Sequence, residues 1–310
     1  MLSSVLNRRG ASSSCSSSRS SRLGEDANST AGSGASPCPT CSGVRAPLDA
    51  SGVAGAPVDK FRAVPGPLDV ALAVLDAAPD IQDDAGARLC AELGGAASAV
   101  YVHCNVCVEA DVAAAVDHAV ATFGSLDIMF NNAGIGGPLY QGIRECDVAD
   151  LERVLAVNLV GPFLGAKHAA RVMVPARRGG SIVSTASVAS ALAGIAWHAY
   201  TCSKHALVGL TESLAAELGR HGVRVNCVSP WGVPTPLALD YMGLDLEGFE
   251  RAMETMGNLR AVGGAMQTKD IANAVLFLAS DDARHISGHN LLVDGGMSVA
   301  VSPAMSVFKD

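Results

Sequence analysis

From Asp80 onward the chain alternates short apolar, β-rich runs with amphipathic helical stretches, and this alternation restricts the fold more than any other feature. DIQDDAGARLCAEL reads as a helix, AVYVHCNV as a strand, EADVAAAVDHAVATF as a helix and LDIMF as a strand. A long helical stretch, LERVLAVNLVGPFLGAKHAARVM, precedes the strand SIVSTAS. A second helix from AYTCSK to LAAEL, the strand VRVNCVS, the helix KDIANAVLFLASD and a last strand, NLLVDGG, complete the series. The strands are continuous β-rich runs separated by amphipathic helices, as expected where both sheet faces are covered. The expected architecture is therefore α/β, a doubly wound parallel sheet of about six or seven strands in one domain over residues 80–310. With 310 residues and 49% hydrophobic content, the chain can bury a core of that size.

The stretch SVASALAGIAWHAYTCSK, Ser187 to Lys204, concentrates the chemistry. Tyr200 and Lys204 are four residues apart on a predicted helix and so share one face. A phenol loses its proton near pH ~10 in water, and a neighbouring ammonium favours the phenolate, which makes the pair an acid/base device at neutral pH. Ser187 follows a strand that ends in hydroxyls, with Ser184 and Ser190 as rival donors. An isolated tyrosine at helical spacing is more often a packed side chain with its hydroxyl at the rim.

The pair does not stand alone. Asn131-Asn132-Ala133-Gly134 follows LDIMF, Asn158 sits in the long helix, and NCVSPWGVPT runs from Asn226 to Thr235. With these motifs the chain resembles the short-chain dehydrogenase/reductase family, in its plant branch, from about Asp80 to the C-terminus. The resemblance implies a Rossmann-like fold, NAD as cofactor and no metal. It gives Tyr200 the proton exchange with substrate and Lys204 the tuning of Tyr200 together with the nicotinamide ribose. Ser187 would orient the reacting oxygen, and Asn158 a water leading from Lys204 to solvent. Asp80 would hold the adenosine ribose and select NAD over its 2′-phosphate, and Asn105, beside Val106, would stand in for an adenine-binding Asp. Asn132, Ala133 and Gly134 would close the adenosine side, and Pro230, Val233 and Thr235 the carboxamide side. Trp231 occupies a position where many relatives have Gly. Trp197 and Trp231, the two tryptophans, are read as flanking one substrate mouth, under a Leu- and Met-rich lid from Pro236 to Leu259. Such a lining suits a small hydrophobic alcohol or ketone of terpenoid or phenolic type. The resemblance also implies a homo-oligomer, tetramer or dimer, paired through the helices bearing Asn158 and Tyr200.

Residues 1–79 break the pattern. They are rich in Gly, Ala, Ser and Pro, and lack the T-G-x-x-x-G-x-G turn that would hold a pyrophosphate on helix N-terminal amides. Thr30–Gly34 and Ser51–Gly55 are the nearest approximations, and both read as linker. The first βα unit is accordingly expected to be atypical or missing. The alternative function follows from that gap: a non-catalytic relative that has lost dinucleotide binding and serves as an oligomer partner.

A net charge of −8 argues against a nucleic-acid partner, and no apolar run reaches the ~20 residues needed to span a bilayer. Nine cysteines scattered through apolar segments fit a reducing, cytoplasmic setting. The Ser/Arg-rich residues 1–22, with no acidic residue before Glu25, read either as a polar tail or as a plastid transit peptide. Cys38/Cys41 and Cys104/Cys107 have zinc-like spacing but lie in low-complexity sequence and across a strand, so core thiols are the expected reading.

Overall fold

The computed structural model describes residues 4–6, 83–93, 99–138, 142–256 and 264–300. Among them a five-stranded sheet runs in the order β1 (Ser4–Leu6), β2 (Ile128–Asn131), β3 (Gly180–Thr185), β4 (Val223–Pro230), β5 (Asn290–Val293). Strands β2 to β5 are mutually parallel, in registers such as Met129 opposite Ile182 and Ile182 opposite Val225. The short β1 pairs antiparallel with β2, Val5 facing Met129. A parallel strand pair needs a crossover, and each here is helical.

Side-chain alternation on the strands explains the layers. Met129, Ile182, Val223 and Val225 point to one face and are covered by α2 (Glu109–Phe123), α4 (Gly161–Ala176) and α5 (His198–Leu218) through Val116, Ala169, Met173 and Leu218. Val183 and Val228 point to the other face, under Val275 and Leu278 of α8 (Thr268–Ala279). Arg224 of β4 reaches the C-terminal end of α8 and donates to the carbonyls of Leu278, Ala279 and Ser280 at 2.6, 3.2 and 3.1 Å. A cation there satisfies carbonyls that have no partner within the helix. Gly165 of α4 lies against Asn131, and a methyl group at that position would overlap the Asn131 Oδ1 atom.

The expected helices form close to their predicted bounds, including α1 (Asp83–Glu92). The long helical stretch is α3 (Val148–Leu155) continued into α4 through one wide π turn, Ala156–Val160. Two expectations need correction. AVYVHCNV does not form a strand: residues 99–104 are irregular, with a single bridge at Asn105. A strand requires a neighbour to take its backbone groups, and none of the described residues supplies a ladder beside this run. The described sheet accordingly has five strands, not six or seven, and a short antiparallel strand holds the edge beside β2. Asp80, like the rest of 7–82, lies outside the described residues.

Candidate active site

Strands β3 and β4 end on the same side of the sheet, and the start of α5 crosses in front of them. In open parallel sheets this carboxyl edge is where ligands are held. Ser187 caps the short turn Val188–Ser190, its Oγ accepting from the Ala189 amide at 3.2 Å. Trp197 is the residue before the first turn of α5, Tyr200 lies in that turn, and Lys204 stands one turn further on.

Three serines were open as hydroxyl donors, and the surroundings separate them. Ser184 is buried and receives the Asn131 amide at 3.3 Å. Ser190 is tied to Ser229 at 3.2 Å and to Asn290 at 3.1 Å. Ser187 instead lines a cavity of about 330 Å³ with Tyr200 and bonds the Tyr200 hydroxyl. The rest of that lining is apolar, including Trp231, Leu237, Phe249, Met253 and Met256. Size and lining are typical of a small-molecule site. The lid stretch forms α6 (Pro236–Met242) and α7 (Leu246–Met256), and the Met253 thioether packs on Gly232, where a methyl group would force it to shift.

Lys204 is 3% exposed. Its Nζ donates to the Thr185 carbonyl at 2.8 Å and lies 5.4 Å from the centre of the Tyr200 ring. Burial pulls the Lys204 ammonium down to about 8, because an ion loses hydration there, with the Cys227 thiol a smaller opposing influence. Burial pushes the Tyr200 phenol above its ordinary value, opposed in part by the Ser187 hydrogen bond. The expected lowering of the phenol by Lys204 is therefore not the arrangement of the free protein. The ammonium faces ring and carbonyl, and desolvation dominates both groups.

Asn158 sits within the π turn with no exposed surface. Its Oδ1 accepts from the Ile135 amide at 2.8 Å, and its Nδ2 donates to the Ile135 carbonyl at 2.9 Å and to Ser203 Oγ at 3.1 Å. Ser203 in turn donates to the Tyr200 carbonyl at 2.7 Å. Sequence reading missed Ser203 and Ile135. The signal for Ser203 was a hydroxyl three residues after Tyr200 on a helix. For Ile135 there was none, because a backbone contact leaves no mark in composition.

The cofactor-directed residues divide into two groups. Asn132 Oδ1 accepts from Thr185 at 2.7 Å, joining the ends of β2 and β3, and Ala133 is buried. A methyl group on Gly134 would meet Asn158 Oδ1 at 3.5 Å and Lys204 Nζ at 3.6 Å, ordinary contact distances, so the position borders both groups without sterically requiring glycine. Pro230 ends β4, Val233 and Thr235 are buried, and Thr235 caps α6 through the Ala238 amide. Of this loop, Pro230, Trp231 and Gly232 border the same cavity as Tyr200. Val106 is buried, and Asn105 Oδ1 accepts from the Cys107 amide at 2.9 Å, which leaves that oxygen one lone pair.

Trp197 does not share the cavity with Trp231. It lines a separate pocket of about 230 Å³ with Ile143, Cys146 and Val148, and its ring meets Tyr241 edge-on, centres 6.3 Å apart. Starting a helix with its indole turned beside Tyr241 places it between the two spaces rather than at one mouth.

Comparison with known proteins agrees with this geometry. A family model described as enoyl-(acyl carrier protein) reductase, of the short-chain dehydrogenase group, matches residues 68–298. The chain is 64% identical over 231 residues to momilactone A synthase of Oryza sativa subsp. japonica, covering 74% of this chain and 83% of that protein. It is 49% identical over 236 residues to (+)-borneol dehydrogenase 2 of Salvia officinalis, covering 74% and 82%. The crystal structure of levodione reductase superposes with a TM-score of 0.65 at 31% identity, covering 74% of this chain and 88% of that one. A parallel sheet with helices on both faces and a Tyr/Lys pair at its carboxyl edge defines an oxidoreductase of Rossmann-like fold. More particularly, the chain belongs to the short-chain dehydrogenase/reductase family, in its plant branch, and such dehydrogenases use nicotinamide cofactors.

Proposed function

We propose that this protein is an NAD-dependent dehydrogenase that oxidises the CH–OH group of an apolar alcohol of terpenoid or phenolic type. The observation that carries the reading is the apolar cavity closed at one end by Ser187 and Tyr200, with Lys204 buried behind them. Bound nicotinamide supplies the hydride acceptor. Ser187 positions the substrate oxygen beside Tyr200, and Tyr200 takes the hydroxyl proton as the carbon gives up its hydride. For Tyr200 to accept, its own proton must leave: Lys204, at about 8, gives up a proton to solvent first, and its free amine then takes the Tyr200 proton as Tyr200 takes that of the substrate. Asn158 keeps the Ile135 backbone and Ser203 in place around that pair. The preference for NAD over its 2′-phosphate rests on Asp80, and Asn105 is the acceptor for the adenine amino group.

A borneol-oxidising relative with 49% identity supports an alcohol substrate, and the Met- and Trp-lined cavity supports an apolar one. Exposed Val160 and Phe163, 43% and 47% accessible at the start of α4, support a homo-oligomer built on that helix. Nine cysteines scattered through apolar segments support the cytoplasm as the working compartment. Among the described residues no helix is long and apolar enough to cross a membrane. The test is NADH formation from a panel of apolar alcohols by the full-length chain, with borneol as its first member. Turnover on apolar members and none on sugar alcohols is expected; the reverse pattern overturns the reading.

A further inference from the structure

Two cavities lie side by side at this edge of the sheet, the first mostly apolar and the second lined by Ile143, Val148 and Leu151 together with Asp147, Asp150 and His198, and one stretch of chain passes between them. Ile195 and Ala196 line the cavity that holds Ser187 and Tyr200, while Trp197, His198 and Ala199 line the second pocket. Gly136 borders both. Tyr241, on the first side, meets the Trp197 ring edge-on, and its hydroxyl donates to the Ile195 carbonyl at 3.3 Å, which anchors the ring to the same stretch. The Trp197 indole N–H is buried and has no hydrogen-bond partner, so the side chain is held there by shape and not by a polar contact.

We infer that the Trp197–Tyr241 ring pair is a partition that sets the largest alcohol the active site admits, the second pocket being space the wall withholds. The inference rests on the dehydrogenase reading and makes Trp197 a specificity-determining residue rather than a contact of the reacting group. Removing the indole would open about 230 Å³ of further volume, bounded by Ile143, Val148 and Leu151 and by Asp147 and Asp150, to a ligand seated at Tyr200. In a hydrophobic site each added or removed carbon is worth roughly 10- to 200-fold in selectivity.

The test compares borneol, a small bicyclic alcohol, with androsterone, a tetracyclic one, on the full-length protein and its variants. Calorimetric binding of each alcohol is measured alongside turnover, so that a failure of the dehydrogenase reading shows as absent NADH formation while the partition is still read from affinity. Trp197→Ala is expected to raise the androsterone-to-borneol affinity ratio at least ~10-fold. Trp197→Phe, which keeps the bulk and loses the unpaired N–H, should leave that ratio within about two-fold. Tyr241→Ala, which removes the other ring, should move it in the same direction as Trp197→Ala, and it serves where Trp197→Ala does not fold. An unchanged ratio in whichever of the two alanine variants folds, or a ratio shifted equally by Trp197→Phe, overturns the partition.

Discussion

Lys204 Nζ donates to the Thr185 carbonyl at 2.8 Å and lies 5.4 Å from the centre of the Tyr200 ring, so in the free protein the cation is held beside the phenol's ring and against strand β3. Both groups are desolvated, which raises the phenol and lowers the ammonium. At neutral pH the pair therefore carries both protons, and the first to leave comes off at about 8.

A pH profile follows from that order. Alcohol oxidation needs the pair one proton short, so kcat/KM should rise about tenfold per pH unit below 8 and level off above it. Carbonyl reduction, which needs the full complement, should show the opposite trend. An oxidation profile flat from pH 6 to 9 would contradict the assignment.

Tyr200→Phe removes the proton acceptor and its Ser187 hydrogen bond while keeping the ring that faces Lys204. Turnover should fall by at least ~10²-fold, with the far-ultraviolet circular dichroism unchanged. Retention of more than a tenth of the activity would assign the proton transfer to another group.

The stability of the protein should carry the signature of Lys204. The folded value, about 8, lies below the ordinary 10.5, so the unfolded chain binds more protons across that window and stability rises with pH through it. Lys204→Met abolishes this dependence. Between pH 7 and pH 10.5 the difference in unfolding free energy should shift toward the wild type by on the order of 3 kcal/mol. Denaturant titrations of both proteins at the two pH values check it, and a constant difference would show that the ammonium is not desolvated.

Asn158→Ala would orphan the amide and carbonyl of Ile135 and the Ser203 hydroxyl contact in a fully buried place. At ~1–3 kcal/mol for an orphaned buried group, a loss of about 3 kcal/mol is expected. In a domain of this size that lowers Tm by roughly 6–12 °C. A scanning-calorimetry shift below about 2 °C would mean that the clamp contributes little.

Much of the architecture was legible because helix and strand periodicities are strong over long segments. The 3.6-residue pattern around Val116 and Ala119, and the β-rich runs SIVS and VRV, identify layers without tertiary knowledge. The run AVYVHC looked like a strand for the same local reasons, but a strand is completed by its neighbour, and residues 99–104 have no described ladder. At the site, spacing along α5 was enough to put Tyr200 and Lys204 on one face. It said nothing of which way the Lys204 amine turns, since Thr185 reaches it from another strand. Ser184 and Ser190 resembled Ser187 in sequence and differ only in their partners, Asn131, Ser229 and Asn290, brought from distant segments. Trp197 and Trp231 were grouped because both lie near the motif, whereas the turn into α5 sets them on different pockets.

Dinucleotide binding tests the account most directly, because the glycine turn is absent from residues 1–79 while the Tyr200, Lys204 and Ser187 end of the site is in place. Calorimetric titration of the full-length chain with NADH and with NADPH should give saturable heat for NADH, with a Kd from about 1 µM to 1 mM, and at least ~10-fold weaker binding of NADPH. No heat from either at millimolar concentration would contradict the account and leave a family member that has lost its cofactor.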